Sequence, residues 1–424
     1  MTFKKIVKKF TPKFLQRFYY FCWALSGAVI FACLPAGRVF PWKDESMKII
    51  GVTGTSGKST TTDFITRILD EAQPSPQASA GKAGYKVASV SSIRFKIGEK
   101  EWENKYKMTM PGRFVIQKFL KQAKDAGCKF VVLEVTSEGI RQFRHKFINF
   151  DTAVFTNLTP EHIESHGGFE NYRNEKLKLF KAIKNIHVIN ADDENAKYFL
   201  DIPAKQKIEF SIKDKSKMDF KLNLEGDFNY MNALAAISVA KAYGIDFETC
   251  KKALEKVKGI SGRMEVVSEE SLPAGRQAIK VIVDYAHTPA QLEAVYKSLS
   301  PKPYTLNPNL VCVLGSCGGG RDKWKRPVLG EIAKKYCKEI IITNEDPYDE
   351  DPMEIINQVA EKAGPNAKKI LDRREAIKTA VKQAKPGDVV IITGKGSEPW
   401  MCLENGKKIP WDDRQIARDA IKAR

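Results

Sequence analysis

The stretch GVTGTSGKST, residues Gly51–Thr60, decides the fold of this chain. It follows the apolar run 47–50 and leads into a segment with the apolar spacing of an amphipathic helix. Strand, glycine turn and helix in this order form a phosphate-binding loop, because glycine amides and a helix N-terminus face the phosphates. The strict pattern has glycine where this chain has Val52, but Lys58 and Ser59 stand in their expected places. The sequence therefore predicts a nucleoside triphosphate site.

The side chains of this loop have separate expected tasks. Lys58 reaches the terminal phosphates, and the Ser59 hydroxyl ligates Mg²⁺. The other loop residues expected to bind the nucleotide are Gly54, Thr55, Ser56, Gly57 and Thr60. A glycine turn without a ligand is the alternative, and the Lys-Ser pair argues against it.

Composition limits the remaining possibilities. A chain of 424 residues with 43% hydrophobic content predicts two to three globular domains. The formal charge of +19 fits nucleic acid, an anionic membrane surface or anionic small substrates. The lysines are scattered and no nucleic-acid motif occurs, so no nucleic-acid partner is predicted. The eight cysteines form no CxxC pair, which favours reduced thiols in a cytoplasm over a zinc site.

The N-terminal segment is apolar and basic. Phe18–Ala36 carries no charge, and it follows six basic residues at Lys4, Lys5, Lys8, Lys9, Lys13 and Arg17. A cleaved signal peptide, a single membrane span, an interfacial helix and a helix buried against the protein are all open. Because both flanks then stay on the side that holds ATP, the interfacial helix is favoured. Residues 1–45 are accordingly predicted to associate with a membrane.

Strand and helix signals alternate along the rest of the chain, which predicts an α/β fold with mostly parallel sheets. Residues 46–261 are predicted to form a P-loop ATPase domain whose polar stretch 201–226 supplies edge strands. At about residue 262 the pattern restarts, so 262–424 is predicted to be a Rossmann-like C-terminal domain. Within it, SLPAGRQA (271–278) is predicted to be a loop.

Further motifs occur in a fixed order along the chain. They are LEVTSEGIRQFR (133–144), FTNLTPEHIESHGGFENYRNEKLKLF (155–180), GDFNYMNALAAI (226–237), SGRMEV (261–266), VIVDYAHTPAQLE (281–293) and LGSCGGGRDKWKRPVLG (314–330). Together with the phosphate loop they resemble the Mur ligases, specifically the MurE-type enzymes that add the third amino acid to UDP-N-acetylmuramoyl dipeptide. The resemblance runs from Gly51 to Arg418.

The resemblance implies a metal site and an acceptor site in the first domain. A carboxylate that ends a central strand opposite a phosphate loop can hold Mg²⁺, and Glu134 matches the family's ligand. His162 matches a metal-ligating histidine, and Lys176 matches a lysine whose carbamylation makes it an anionic metal ligand. The acyl substrate is then held by Ser137, Gln142 and Arg144. Glu138 stands where these enzymes commonly have histidine.

The resemblance also assigns nucleotide contacts. Asn229 and Asn232 lie three apart on a helix and would read the adenine edge. Asp284 would bind the ribose, Arg263 the phosphates, and Lys323 is a further phosphate contact. The expected catalytic set is Lys58, Glu134, His162, Lys176 and Arg263.

The incoming amino acid would contact Asp346 and Glu398. Diaminopimelate-adding members carry an arginine that this chain replaces with Tyr348. An acidic pocket without that arginine favours a plain amine such as lysine. Diaminopimelate stays open, because Arg373 and Arg374 could supply a guanidinium.

The resemblance implies an ATP- and Mg²⁺-dependent ligase that adds an amino acid to a muropeptide precursor of peptidoglycan through an acyl phosphate. We expect a cytoplasmic monomer, with attachment to the cytoplasmic face of the inner membrane as the further hypothesis. Only residues 1–46 precede the ATPase strand, so the usual UDP-binding domain is expected to be missing. The alternatives are a folylpolyglutamate-like or lipid-linked acceptor, and a non-catalytic membrane-attached ATP-binding scaffold.

Overall fold

The computed structural model describes residues 13–32, 47–72, 85–106, 108–267, 279–300 and 309–424. Its contacts divide the chain into two compact units. The first unit takes in Phe169–Leu222, Phe228–Val257 and the described part of Met1–Pro160. The second takes in Glu161–Gly168, Asn223–Asp227 and the described part of Lys258–Arg424. The predicted loop 271–278 and residues 33–36 of the apolar segment lie outside the described residues.

The strands are, in chain order, β1 (Lys48–Thr53), β2 (Val87–Val90), β3 (Arg94–Ile97), β4 (Lys100–Glu103), β5 (Phe130–Glu134), β6 (Phe150–Phe155), β7 (Ile186–Asn190), β8 (Gln206–Phe210), β9 (Glu265–Val266), β10 (Lys280–Asp284), β11 (Leu310–Leu314), β12 (Glu339–Thr343), β13 (Lys368–Ile370), β14 (Val389–Thr393), β15 (Trp400–Cys402) and β16 (Lys408–Pro410).

The α-helices are α1 (Lys13–Ala32), α2 (Lys58–Glu71), α3 (Arg113–Asp125), α4 (Ser137–Arg141), α5 (Ile163–His166), α6 (Phe169–Ala182), α7 (Ala196–Leu200), α8 (Asp227–Ala242), α9 (Phe247–Glu255), α10 (Pro289–Leu299), α11 (Lys325–Tyr336), α12 (Pro352–Ala360), α13 (Arg373–Gln383) and α14 (Asp413–Lys422).

The first unit is built on an eight-stranded sheet in the order β4-β3-β2-β5-β1-β6-β7-β8. Its strands pair in parallel except for β3 and β4, which pair antiparallel at one edge. β1 lies between β5 and β6 and is almost wholly buried, so the loop after it opens at the centre of the sheet edge. A ligand site at the carboxyl ends of such strands is the expected outcome of this topology.

The second unit is built on a six-stranded sheet in the order β13-β12-β11-β14-β10-β9, with only β9 antiparallel among the described strands. The four inner strands consist mainly of Val, Ile and Leu, because helices cover both faces of a parallel sheet. A separate two-stranded ribbon joins β15 to β16. The α/β class and the mostly parallel sheets predicted from sequence are confirmed.

Helix α1 lies against α3 of the first unit. Ala24 is buried at the contact, and the Trp23 ring meets the Phe114 ring edge-on at 5.2 Å between centroids. On another side Phe18 and Tyr19 are more than half exposed. Among the described residues no helix is long and apolar enough to cross a bilayer.

Two local expectations need correction. The polar stretch 201–226 forms one edge strand, β8, whereas Ile212–Lys217 forms a 3₁₀ turn with a capping box at Ser211 and Asp214. The expectation of reduced thiols is wrong for Cys312 and Cys337, which form a disulfide with a Cα–Cα distance of 6.0 Å. They meet because β11 and the end of α11 are neighbours in the fold, which spacing along the chain does not reveal.

Candidate functional site

The phosphate loop of the first unit is held by the chain that follows β6. The Thr55 amide donates to the Asn157 carbonyl at 2.9 Å, and the Ser56 amide donates to Asn157 Oδ1 at 2.9 Å. Helix α2 begins at Lys58, directly after Gly57, whose φ of 77° is left-handed. Lys58 Nζ donates to the Thr55 carbonyl at 2.8 Å. The loop therefore has a fixed backbone, with its lysine folded over it.

Both loop glycines are required by space as well as by backbone angle. A Cβ at Gly54 would lie 1.9 Å from Thr156 Oγ1. A Cβ at Gly57 would lie 2.2 Å from Asn232 Oδ1. The predicted adenine pair thus lies at this loop: Asn232 Oδ1 accepts from Thr61 at 3.3 Å, and its amide meets Asn229 at 3.5 Å.

Glu134 ends β5 beside the loop, as predicted. Its carboxylate is 2% exposed and accepts from Ser59 Oγ at 3.0 Å and from the Ser92 amide at 2.8 Å. Ser92 Oγ in turn lies 2.8 Å from Thr109 Oγ1. The hydroxyl and carboxylate oxygens of Ser59 and Glu134 are the hard donors that Mg²⁺ prefers, so this pair fits the predicted metal.

Lys176 lies on α6 and is 1% exposed. Its Nζ donates to the Gly54 carbonyl at 2.7 Å and lies 4.6 Å from the centroid of the Tyr172 ring. Tyr172 also contacts the loop, with its hydroxyl 3.1 Å from Thr55 Oγ1. The structure therefore brings Lys176 to the phosphate loop, although in sequence it is one lysine among several on a charged helix.

His162 belongs to a segment that groups with the second unit, so its place beside Glu134 stays a prediction. It has a φ of 56° and precedes α5, whose first amides donate to the Asp322 carboxylate. In the described part of the chain, no three His, Cys, Asp or Glu side chains cluster as a metal site.

The neighbouring Glu161 is buried in the second unit. It lies 3.4 Å from Lys325 Nζ and 3.8 Å from His287 Nε2. Burial opposes ionisation of Glu161, but Lys325 and the nearby histidines outweigh it and lower the pKa to about 2. Glu161 is therefore an ionised carboxylate within a buried ion pair with Lys325.

The predicted acceptor residues lie together after β5. Ser137 is buried in the first turn of α4, where Thr136 Oγ1 accepts from the Gly139 amide at 3.0 Å. Arg144 donates to Gln142 Oε1 at 2.8 Å and to the Met110 carbonyl.

The turn that carries Arg144 lies between two phenylalanines with left-handed backbone angles, which phenylalanine rarely adopts. Phe143 has φ 58° and Phe147 has φ 63°. Their rings face α1: Arg17 lies 5.7 Å from the Phe143 ring centroid, and Phe21 packs on Phe147 at 5.6 Å. Contacts with α1 therefore offset the strain of this turn.

The predicted nucleotide contacts of the second unit have partners within that unit. Asp284 is buried and accepts from the Met264 and Ala286 amides at 2.7 Å each, while burial raises its pKa. The Arg263 guanidinium stacks 4.3 Å from the Tyr285 ring centroid. Lys323 is exposed and lies 3.3 Å from Glu350.

The predicted amino-acid pocket contains a lysine that the sequence reading overlooked. Lys395 is 1% exposed, and its Nζ lies 2.9 Å from Asp346 and 2.8 Å from Glu398. Asp346 also accepts from the Cys402 amide at 2.7 Å. Beside them, the buried Glu345 accepts from Cys317 at 3.0 Å, and its Oε2 has no hydrogen-bond partner among the described residues.

The residues that the sequence patterns did not single out share one feature. Each is a polar side chain two residues after the end of a buried strand. Ser92 comes after β2, Asn157 after β6 and Lys395 after β14. The carboxyl ends of parallel strands meet at one sheet edge, so a search restricted to those positions finds all three. Arg113, which opens α3, carries no such signal.

Comparison with known proteins gives the family. The Mur ligase middle domain matches residues 52–219, and the Mur ligase, glutamate ligase domain matches residues 262–396. A UDP-N-acetylmuramyl-tripeptide synthetase of Roseiflexus sp. (strain RS-1) is 35% identical over 421 residues, covering 88% of this chain and 78% of the relative.

Solved structures agree. One of a UDP-N-acetylmuramoyl-L-alanyl-D-glutamate–2,6-diaminopimelate ligase is 29% identical, with a TM-score of 0.55 over 89% of this chain and 79% of the other. One of Mycobacterium tuberculosis folylpolyglutamate synthase is 15% identical and shares the fold, with a TM-score of 0.65 over 90% and 96%. From the two matching domains and the relatives at this identity and coverage, the chain belongs to the Mur ligase family and is an ATP-dependent ligase that forms amide bonds.

Proposed function

We propose that this ligase joins an amino acid to a muramoyl-peptide acceptor. The observation that carries the proposal is a continuous polar network in the first unit. It runs from Ser59 through Glu134 to Ser92 and Thr109. The backbone carbonyl of the next residue, Met110, accepts a hydrogen bond from Arg144. The network links a triphosphate loop to an arginine suited to an anionic acceptor.

Two displacements make up the reaction. An acceptor carboxylate oxygen attacks the γ-phosphorus of ATP and ADP leaves, which yields an acyl phosphate. The amine of the amino acid then attacks the acyl carbon, inorganic phosphate leaves, and an amine proton is released to give the amide. Lys58 stabilises charge on the transferring phosphoryl group, and the loop amides orient it.

Ser59 and Glu134 would hold Mg²⁺, with His162 as the third candidate ligand. Bound there, the ion would neutralise phosphate charge. Lys176 is the candidate for carbamylation, because its amine is buried at the loop carbonyl of Gly54. The carbamate would convert a cation into an anion beside the metal.

The remaining contacts are assigned to the nucleotide. Asn229 and Asn232 would read the adenine, since Asn232 lies against Gly57 of the loop. Asp284 would accept the ribose hydroxyls through its remaining lone pairs, and Arg263 and Lys323 would contact phosphates. The proposed domain limits are 46–261 for ATP binding and 262–424 for the C-terminal part.

We assign the amino-acid pocket to Asp346 and Glu398. Glu345 Oε2, which has no hydrogen-bond partner in the described part of the chain, is the proposed acceptor for an ammonium group. Three carboxylates with Lys395 among them leave a net negative pocket. Such a pocket favours lysine over diaminopimelate, because Tyr348 replaces a guanidinium that would hold a distal carboxylate.

The protein is further proposed to act as a cytoplasmic monomer at the inner face of a membrane. Leu15, Phe18 and Tyr19 of α1 are exposed, as the apolar and aromatic face of an interfacial helix would be. Flotation with anionic vesicles tests this. A variant with Leu15→Glu and Phe18→Glu should stay in the dense fraction, and equal flotation of both proteins would refute attachment.

ADP release from the purified protein tests the ligase proposal. Acceptors are UDP-N-acetylmuramoyl-L-alanyl-D-glutamate, its nucleotide-free and lipid-linked forms, and a folate; amines are lysine and diaminopimelate. Turnover that needs both a muramoyl acceptor and an amine supports the proposal. A folate that alone supports turnover indicates the folylpolyglutamate-like alternative, and ATP binding without turnover for any pair indicates a scaffold.

A further inference from the structure

Arg113 opens α3 close to the acceptor residues. Its Nη2 donates to the Gln142 carbonyl, so the guanidinium reaches the turn that carries Arg144. The Nε atom of Arg113 is buried and has no hydrogen-bond partner among the described residues. A guanidinium presents five donors, and within the described ranges the Arg113 side chain makes one hydrogen bond, from Nη2, so Nη donors remain for a ligand.

Arg144 has the same property. Its Nε is also buried without a partner in the part of the chain that the structure describes. Burial lowers the pKa of Arg113, and the charge of Arg144 lowers it further. An anion that contacts both guanidiniums would reduce the electrostatic repulsion between these two partly buried charges.

The surroundings add positive charge. Arg141 lies on α4, and Arg17 reaches the same turn from α1. The carboxylate that acts on Arg144 is Glu138, which Arg141 also engages at 2.6 Å. The cluster of Arg17, Arg113, Arg141 and Arg144, here called the arginine cluster, therefore exceeds its local carboxylate in charge.

The backbone at the N-terminus of α3 also favours an anion at this place. Helix α3 has Gly112 as its N-cap, with no side-chain cap and no acidic residue in its first turn. The helix dipole at this N-terminus favours an anion near Arg113.

Helix α1 fixes the arginine from the other side. The Tyr20 ring centroid lies 4.7 Å from the Arg113 guanidinium carbon, within cation–π distance. Trp23, about one turn further along α1, packs edge-on against Phe114. Tyr20 thus restricts the orientation of Arg113 and acts as a positioning residue.

We propose that Arg113 and Arg144, with Tyr20 of α1 above them, form an oxyanion subsite for the acceptor, at a group other than the carboxyl that is activated. The inference rests on the proposed function. The shared chemistry is a planar or tetrahedral oxyanion that paired guanidiniums bind: a phosphate of the acceptor's diphosphate, or a second carboxylate of its peptide. Arg113 then helps decide which acceptors are accepted.

The test compares the full-length protein with Arg113→Ala, Arg113→Lys and Tyr20→Leu. Lys118→Ala removes an exposed charge from the same helix and is the matched control. Calorimetric binding of UDP-N-acetylmuramoyl-L-alanyl-D-glutamate is measured first, since it needs no turnover. We expect Arg113→Ala to weaken binding about tenfold or more, as for loss of one charge-assisted contact, with Arg113→Lys and Tyr20→Leu intermediate. KM for ATP should be unchanged.

Two further probes identify the oxyanion. If Arg113→Ala weakens the nucleotide-linked acceptor but leaves binding of the nucleotide-free muramoyl dipeptide unchanged, the subsite binds phosphate. Equal weakening of both indicates a carboxylate. Binding by Arg113→Ala and Arg113→Lys equal to that of Lys118→Ala overturns the subsite. Absence of ADP release from any acceptor and amine pair would instead refute the proposed function, whatever the binding result.

Discussion

Both units place a candidate ligand site at the carboxyl ends of a mostly parallel sheet, but their strand orders and the charges at those sites differ. In the first, Lys58 folds over the phosphate loop and Arg113 reaches the turn that carries Arg144, while Glu134 is a buried carboxylate at the end of β5. In the second, the corresponding edge gathers acidic side chains around Lys395. Parallel strand ends therefore provide a place for ligands without deciding their charge. The charge around each candidate substrate pocket matches what that pocket is proposed to bind, an anionic acceptor in the first unit and a cationic amino acid in the second.

The largest expected effect concerns the lysine of the acidic edge. Lys395→Met leaves two carboxylates without their buried counter-ion, which should lower the free energy of unfolding by about 3–5 kcal/mol. Denaturant titration measures it. Lys378→Met, which removes an exposed ion pair with Glu375, should cost about 1 kcal/mol or less. Equal losses in the two variants would mean that Lys395 does not balance the pocket.

Next is the lysine of the cationic edge. Lys58→Ala removes a cation that stabilises the transferring phosphoryl group, so kcat should fall about 10²–10³-fold. Single-turnover ADP release checks this, with the exposed Lys100→Ala as control. A normal kcat in Lys58→Ala would show that Lys58 does not stabilise the transferring phosphoryl group.

A smaller effect is expected when charge is changed at the acidic edge. Tyr348→Arg adds a guanidinium for a distal carboxylate, so the ratio of kcat/KM for diaminopimelate to that for lysine should rise about tenfold. Competition between the two amines measures the ratio. Tyr348→Phe keeps the ring but releases the Arg321 guanidinium from the Tyr348 hydroxyl, so it should shift the ratio in the same direction by a smaller amount. An unchanged ratio in Tyr348→Arg would contradict the explanation.

The smallest expected effect is a difference between the two units in how their stability depends on pH. Burial, with Lys146 and Lys178 nearby, lowers the pKa of His145 to about 3. The unfolded chain then binds a proton that the folded chain does not, so stability falls as pH drops below about 6.5. Between about pH 7.5 and 5.5 the loss is roughly 1 kcal/mol.

The variant His145→Leu should flatten that pH dependence in urea titrations. In the second unit Glu161, whose pKa is lowered to about 2, contributes stability that is lost only as pH falls below about 4.5. A slope unchanged in His145→Leu would assign the loss to other groups.

Sequence was sufficient where chemistry is local in the chain. The strand, turn and helix around Gly57 predict the loop, and Glu134 follows from its place at a strand end. The same reasoning can place Ser92 and Asn157 after strands, but it cannot pair Ser92 with Glu134 or Asn157 with the phosphate loop, because strand order decides which strand ends meet. Nor could it find Arg113, whose meaning depends on a turn about 30 residues later and on Tyr20 far upstream.

Helix α1 has an exposed apolar side and a side that contacts the proposed acceptor residues, so it is not an independent module. The helix exposes Phe18 and Tyr19 on one side, and on the other it holds the rings of Phe143 and Phe147 and the guanidinium of Arg113. A segment that resembles a detachable anchor would thus be part of the wall of the proposed acceptor site. Replacing it with another membrane tag would preserve location and lose recognition, so the helix and the ligase unit must change together.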